Sequence, residues 1–286
     1  MHVRRHFVEL ENLKANIKHD EFAKGMCSFD NETYANNTVE YDYYQYKEFS
    51  KYLGPSNCEV GAGNGRLSML VAQNPSVKEL LLLEPSPHFF QALKNRFEGS
   101  KTNCKITLKS AETGAVIEEF SNSFDTVFSC HVMEHIENDL QFFKECVELT
   151  KPGGKTIVMV PALKVLFSNL DQKIGHFRRY SFTDLKTLAE KAGVKLIELR
   201  YFNFFGIFPW WLCFTVFGLN YQEGKKKSWL FFKLAKIYSQ IFVPFFTFLE
   251  AKINFPVGLN LLLVVEKSSA NLQMPTENVQ TTTKPS

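Results

Sequence analysis

The sequence lacks the features that mark secreted, disulfide-bonded and nucleic-acid-binding proteins. Its first residues, MHVRRHFVELENLKANIKHDEF, contain no uninterrupted apolar run, so we expect no secretory signal and a cytoplasmic active site. The six cysteines include no Cys-x-x-Cys pair, and several lie in apolar stretches, which indicates buried, reduced thiols. The formal net charge is only +3 and is spread along 286 residues, so it gives no strong indication of a nucleic-acid partner.

The composition, 45% hydrophobic and 22% charged, is that of a globular protein with one elaborated domain. We expect an N-terminal helical or flexible segment (1–40) and an α/β core (41–202 and 257–267). An aromatic insertion occupies residues 203–256. The last segment, 268–286, is rich in polar residues and proline without periodicity, which predicts a disordered tail.

Between Asn57 and Val160, short apolar runs alternate with segments of helical period, which is the pattern of βαβ units. Five strands are predicted there, at NCEV, ELLLLE, CKITL, FDTVFSC and KTIVMV. Two more follow at VKLIELRYF and GLNLLLVVEK. The sequence therefore predicts an α/β, Rossmann-like, mostly parallel seven-stranded sheet with a helical aromatic insertion before the last strand.

A glycine-rich turn follows the first predicted strand in the motif EVGAGNG, which contains Glu59 and the glycines Gly61, Gly63 and Gly65. Small residues at this turn let the backbone approach a ligand closely. Glu84 ends the second strand, where a carboxylate can accept hydrogen bonds from both hydroxyls of a ribose. A tight turn and a solvated strand end are the structural alternative. Because Arg66 occupies the place of the third glycine in G-x-G-x-x-G, a nicotinamide oxidoreductase is the poorer interpretation.

The motifs EVGAGNG, LLLEP, FDTVFSCHVMEHI and TKPGGK together resemble the class I methyltransferase superfamily, over most of residues 41–160. The resemblance implies S-adenosyl-L-methionine as cofactor. The acid that usually meets the adenine is replaced by Ser110 in the sequence SAET. The resemblance assigns the following residues to the cofactor: Glu59, Gly61, Gly63, Gly65, Glu84, Pro85, Ala111, Glu112, Cys130 and His131.

His131, Glu134 and His135 form HVMEH, which also fits the H-x-x-E-H pattern of inverted zinc peptidases. Such a zinc site needs both histidines in the middle of a helix, whereas this motif directly follows a predicted strand. We therefore predict no metal here. The resemblance instead places His131 and Glu134 near the methyl group and the acceptor, while His135 either packs beneath the loop or takes part in function.

A second candidate region, Asp171 and the run GHFRRY, leaves the fifth strand at the edge where open α/β sheets bind ligands. Two adjacent arginines can hold a carboxylate or phosphate, and a histidine can accept a proton from a hydroxyl acceptor. The alternative is that an arginine pairs with a carboxylate of the protein itself. Either His176 or His131 is the predicted catalytic base. The predicted acceptor-binding residues are Glu134, Asp171, Arg178, Arg179 and Tyr180.

Residues 161–267 show a narrower resemblance, carried by LD, GHFRRY, an Ala-Gly turn, YFN, a Trp pair and a final GLN strand. This pattern is similar to bacterial methyltransferases encoded among enzymes of glycan and lipid-linked saccharide biosynthesis. The resemblance implies a small or lipid-linked acceptor, anionic or glycan in nature.

The insertion contains no charged residue between Tyr201 and Gln222 and is followed by the lysines of KKK, at 225–227. Gly206, Pro209 and Gly218 disfavour a spanning helix. Interfacial helices with aromatic residues at the acyl boundary fit better, which predicts peripheral contact with the inner face of a membrane. A cap over the active site or a homodimer interface is the alternative.

The predicted function is methyl transfer by in-line displacement, for which the enzyme holds an acceptor lone pair close to the methyl carbon. Two rival functions come from other classes. One is a catalytically silent, cofactor-binding membrane adaptor, and the other is a nicotinamide-dependent oxidoreductase. Binding of S-adenosylhomocysteine or of a dinucleotide separates the oxidoreductase from the other two.

Overall fold

A computed structural model describes residues 39–102, 104–216, 243–250 and 255–269, with a few single residues between 233 and 253. The expectations for residues 1–38 and for the tail from 270 onward lie outside these ranges. So does the lysine run at 225–227. Within the described ranges, the five cysteines Cys58, Cys104, Cys130, Cys146 and Cys213 are free thiols.

The strands form one seven-stranded sheet of order β3-β2-β1-β4-β5-β7-β6. Its members are β1 (Ser56–Val60), β2 (Glu79–Leu83), β3 (Lys105–Lys109), β4 (Phe124–Cys130), β5 (Thr150–Pro161), β6 (Lys195–Phe202) and β7 (Asn260–Glu266). The first five strands pair in parallel, and β7 runs antiparallel to both of its neighbours. The predicted fold class is confirmed.

The described helices connect these strands and cover both faces of the sheet. They are α1 (Val39–Phe49), α2 (Arg66–Ala72), α3 (Pro87–Phe97), α4 (Ile117–Phe120), α5 (Asp139–Leu149), α6 (Asn169–Lys173), α7 (Phe182–Ala192), α8 (Ile207–Trp210) and α9 (Val243–Glu250). A 3₁₀ turn spans Met133–His135, and a π-helical turn spans Trp211–Val216. The predicted start of α7 is confirmed: Ser181 and Asp184 form a capping box, and Gly193 ends the helix.

Strand β2 shows why the central strands are continuous apolar runs. Leu81 and Leu83 belong to the core on one face of the sheet, while Leu80 and Leu82 belong to the core on the other. Helix α5 contributes to the first core, and α1 and α2 contribute to the second. Because successive side chains of a strand point to opposite faces, a strand covered on both sides must be apolar at every position.

Candidate functional site

A cavity of about 720 Å³ lies at the carboxyl ends of β1, β2 and β4. The order of the sheet reverses between β1 and β4, since β2 and β3 extend one way from β1 and β5 extends the other way from β4. Parallel α/β sheets bind ligands at such a point, because the loops that leave the two strands diverge and open a crevice. The fold therefore places the glycine turn at the expected ligand-binding edge.

The glycine turn is held in a backbone conformation that favours glycine. Gly61, Gly63 and Gly65 all have positive φ, between 56° and 79°. A Cβ on Gly61 would come within 2.3 Å of Val132, and one on Gly65 within 2.6 Å of Leu93. A Cβ on Gly63 would meet nothing within 4 Å. Gly61 and Gly63 thus line the cavity, whereas Gly65 does not reach its wall and packs against α3.

Glu84 connects the end of β2 to the glycine turn. It is buried, and its carboxylate accepts hydrogen bonds from the backbone N–H of Gly63 at 2.7 Å and of Ser86 at 2.8 Å. Burial raises the pKa of Glu84, and the two backbone hydrogen bonds oppose that rise. A carboxylate oxygen has two lone pairs, so each can accept a further hydrogen bond from a ligand in the cavity.

Glu59 lies on β1 beneath the same cavity and is fully buried. The hydroxyl of Ser68 donates to its Oε2 at 2.5 Å. Burial raises the pKa of Glu59 to about 8; the Ser68 hydrogen bond opposes the rise and the nearby charge of Glu84 adds to it. Two buried acids below one cavity would be stabilised by a ligand that brings hydroxyl hydrogens or a positive charge.

The remaining residues predicted to bind the cofactor also line the cavity: Pro85, Ala111, Glu112, Cys130 and His131. Glu112 is exposed on the rim. Burial, and then the charges of Glu59 and Glu134, raise the pKa of the Cys130 thiol well above its usual value. Cys130 therefore lines the cavity as a neutral thiol.

Helix α1 supplies cavity residues that the sequence analysis did not identify, among them Tyr41, Asp42 and Gln45. Asp42 forms an ion pair with Arg66, the residue that begins α2, which fixes α1 over the glycine turn. Tyr41 and Gln45 are four residues apart on one face of a helix. That spacing is visible in the sequence, but nothing in it indicates that this face covers a ligand site.

His131 is held between α1 and a buried carboxylate. It follows β4 with a positive φ of 57°, which is uncommon for a residue with a side chain. Its Nε2 lies 2.7 Å from Gln45 Nε2, and its Nδ1 lies 3.4 Å from Glu134 Oε1. Its side chain is 32% exposed, at the cavity wall. His131 is thus reachable from the cavity and oriented from behind by a carboxylate.

Glu134 is completely buried below His131. Burial alone would raise the pKa of this carboxyl, but its interactions with His131, His176 and His135 outweigh burial and hold the pKa below its usual value. Glu134 does not line the cavity, although it was predicted to contact the acceptor. Glu134 instead lies beneath the residues that form the cavity wall.

Some residues of the GHFRRY region line the cavity, and others are buried beneath its wall. Gly175 and Phe177 line the cavity. His176, predicted as a catalytic base, does not; its side chain is only 8% exposed, and its Nδ1 lies 2.9 Å from Asp171 Oδ1. Asp171 is fully buried.

The two adjacent arginines have partners within the protein. Arg179 is 2% exposed and forms an ion pair with Asp171 at 2.9 Å. Arg178 pairs with Asp139 at 2.9 Å and donates to the backbone carbonyls of residues 136 and 137. Tyr180, also buried, donates to Asp139. None of the five predicted acceptor-binding residues lines the cavity. The arginines instead pair with carboxylates of the protein itself, which was the alternative interpretation.

Comparison with known proteins identifies the central part of the chain. Residues 58–158 match the family described as Methyltransferase domain. A ubiquinone biosynthesis O-methyltransferase from Coxiella burnetii is 24% identical over 154 residues, which are 49% of this chain and 64% of that enzyme. The chain thus matches less than two thirds of the length of this relative. Residues 58–158 form a methyltransferase domain.

Solved structures support the fold of this methyltransferase domain. A chain of the complex between the Haloferax volcanii Trm112 methyltransferase activator and a putative methyltransferase superposes with a TM-score of 0.55 at 12% identity, covering 87% of this chain and 97% of that one. The [4+2]-cyclase SpnF superposes with a TM-score of 0.53 at 14% identity, covering 78% and 80%. Since a cyclase shares the fold, the fold alone does not fix the reaction.

S-adenosyl-L-methionine is the cofactor of this domain, and the cavity residues fit it. Gly63 leaves open space above the turn for close approach of a ligand. Glu84 is placed to accept from ribose hydroxyls, and buried Glu59 suits a group that carries positive charge. The narrower resemblance to glycan and lipid-linked saccharide enzymes rests on the sequence motifs alone.

Proposed function

We propose that this chain transfers a methyl group from S-adenosyl-L-methionine to an amphiphilic, lipid-linked acceptor. The observation that carries the proposal is one cavity lined both by the glycine turn with Glu84 and by His131. The proposed cofactor site and a proton-accepting side chain therefore share one cavity. The bound cofactor supplies an electrophilic methyl carbon attached to a sulfonium.

Among the two histidines predicted as bases, His131 is the one on the cavity wall. In the proposed step the acceptor oxygen forms a bond to the methyl carbon while the carbon–sulfur bond breaks. The hydroxyl proton passes to His131 Nε2, the atom that faces Gln45 in this structure. Glu134 stabilises the protonated ring through Nδ1, as a carboxylate does behind other catalytic histidines.

The lipid-linked part of the proposal is supported by the described part of the insertion, which leaves large apolar side chains exposed. These are Phe208 (64%), Trp211 (43%), Val216 (50%), Ile241 (63%), Phe245 (65%) and Ile253 (50%). Apolar groups gathered in one segment of a chain favour contact with a lipid surface or another protein. No helix among the described residues is long and apolar enough to cross a membrane.

The cofactor site is tested by calorimetric titration with S-adenosylhomocysteine. We expect wild type to bind, and Glu84→Ala to weaken binding at least about tenfold because buried hydrogen-bond acceptors for the ribose are lost. Glu98→Ala removes an exposed glutamate at the end of α3 and serves as the control. Binding of a nicotinamide dinucleotide in place of S-adenosylhomocysteine would favour the oxidoreductase instead.

The reaction is tested by supplying labelled S-adenosyl-L-methionine with lipid-linked saccharides in vesicles, and with their water-soluble headgroups. We expect faster labelling of the lipid-linked form, and loss of about 10²-fold or more of kcat in His131→Ala. His88→Ala, outside the GHFRRY region and the cavity wall, is the matched control. Cofactor binding without labelling of any acceptor would favour the silent adaptor.

A further inference from the structure

Three side chains at and beneath the cavity wall form a cluster, of which the proposed methyl transfer uses only Glu134. Glu134 and His135 come from the turn after β4, and His176 comes from the GHFRRY region. Each offers one ligand atom, and the three atoms lie within 4.8 Å of one another. Glu134 Oε1 is 3.8 Å from His176 Nε2. Two ligand atoms bound at about 2.0–2.2 Å to one ion lie at most about 4.4 Å apart, so the 3.8 Å pair of Glu134 and His176 fits, and a small side-chain movement brings the whole cluster within bonding distance.

The Glu134 carboxylate is the observation that calls for a cation. It is 0% exposed, and neither oxygen has a hydrogen-bond partner among the described residues. A buried carboxylate without hydrogen bonds carries a large desolvation cost. A divalent cation bound to it would remove that cost more completely than the imidazoles of His131, at 3.4 Å, and His176, at 3.8 Å.

The surroundings of His176 have the form of a second coordination shell. Asp171 Oδ1 lies 2.9 Å from His176 Nδ1, and Asp171 is itself held by Arg179 and Ser168. A carboxylate that accepts from Nδ1–H fixes the tautomer and leaves the lone pair of Nε2 directed towards Glu134. Carboxylate–histidine pairs of this kind are the usual support of metal-binding histidines.

We infer that Glu134, His135 and His176 bind one divalent transition-metal ion. Two imidazoles and one carboxylate suit Zn²⁺, Fe²⁺, Mn²⁺ or Co²⁺ better than Mg²⁺, which prefers oxygen ligands. Three protein ligands leave coordination positions open, as in catalytic and not structural zinc sites. His135 also belongs to the cavity wall, so the ion would lie beside the space proposed for the acceptor.

This inference replaces the earlier prediction that HVMEH holds no metal. That prediction assumed that the two histidines of the motif, His131 and His135, would both have to be ligands. In the structure, His135 and Glu134 instead meet His176, which is 41 residues further along the chain than His135. The inference does not rest on methyl transfer, because a metal ion can be bound without cofactor or acceptor.

The test is titration of chelator-treated, full-length protein with Co²⁺, followed by visible ligand-field absorption, and with Zn²⁺, followed by calorimetry. We expect one ion per chain. Glu134→Gln and His176→Gln should each raise the Kd at least tenfold, and Asp171→Asn about tenfold through the lost second shell. Glu118→Gln and His88→Gln, an exposed glutamate and a histidine outside the cluster, should leave the Kd unchanged.

Absence of binding in wild type would overturn the inference, and so would binding that survives both Glu134→Gln and His176→Gln. S-adenosylhomocysteine titration of the same samples keeps this result separate from the cofactor proposal, since either ligand can bind without the other. If the cluster variants do not fold, NMR spectra of wild type labelled with ¹⁵N-histidine test the site instead. Zn²⁺ must then shift the ring-nitrogen signals of two histidines, and unchanged spectra contradict the site.

Discussion

At the residue scale, Glu59 shows how a binding site can cost stability. Its pKa rises from an ordinary value to about 8 in the folded chain, mainly through burial. Between pH 4.5 and 8 the folded state therefore binds more protons than the unfolded state, so stability falls as the pH rises and the full penalty is present above pH 8. We expect this cost for an acid that lies beside the binding site of a positively charged ligand.

We predict that Glu59→Gln stabilises the ligand-free protein at pH 8 by on the order of 2–4 kcal/mol, because a neutral amide avoids the free-energy cost of burying a carboxylate charge. At pH 4.5 the two proteins should differ little. Urea unfolding at both pH values, with exposed Glu118→Gln as control, measures the difference. An equal effect at both pH values would contradict an electrostatic origin.

At the scale of a single element, two glycines of the same turn look alike in the sequence but have different surroundings in the structure. Gly61 and Gly63 both have positive φ, but only Gly61 faces a neighbouring side chain, Val132. Gly63 faces open space in the cavity. Packing within the protein requires the first glycine, and we expect the ligand to require the second.

We predict that Gly63→Ala lowers the free energy of unfolding by about 1–2 kcal/mol, the cost of a left-handed conformation, and weakens S-adenosylhomocysteine binding at least tenfold. Gly99→Ala is the matched control, since Gly99 also has positive φ and open space. It should lose the same stability and keep binding. Gly61→Ala should lose more than either. Equal binding by the Gly63 and Gly99 variants would count against the assigned cofactor position.

At the scale of the whole molecule, one half-buried acid joins three distant parts of the chain. Glu250 on α9 accepts from the Tyr44 hydroxyl of α1 at 2.6 Å and from the backbone N–H of Asn203, just after β6, at 2.8 Å. Burial and the charges of Glu48 and Glu250 raise the pKa of Tyr44, so it remains a donor. The insertion is thereby connected to the helix that covers the cavity.

We predict that Tyr44→Phe lowers the free energy of unfolding by about 1–3 kcal/mol, because a hydrogen bond to a charged group is lost in a buried place. Tyr43→Phe is the control, since Tyr43 is 47% exposed on the same helix. Urea unfolding of both variants makes the comparison. An equally small loss in both would show that this connection contributes little.

The sequence by itself determined the sheet, the glycine turn and Glu84. Each depends on neighbours within one βαβ unit, where the period of apolar residues and the turn glycines express the local structure directly. For the same reason the capping box of α7 was predictable from Ser181 and Asp184. Strand β2 needed only its run of leucines.

Only the tertiary structure decided which residues share the site. Gln45 meets His131 across 86 positions, and His176 meets Glu134 across 42. Contacts at such separations depend on how helices and loops pack over the sheet edge, and a single sequence contains no periodic signal for them. Arg179 was predicted to contact the acceptor, but in the structure it is buried and forms an ion pair with Asp171. A charged group removed from water requires an opposite charge nearby.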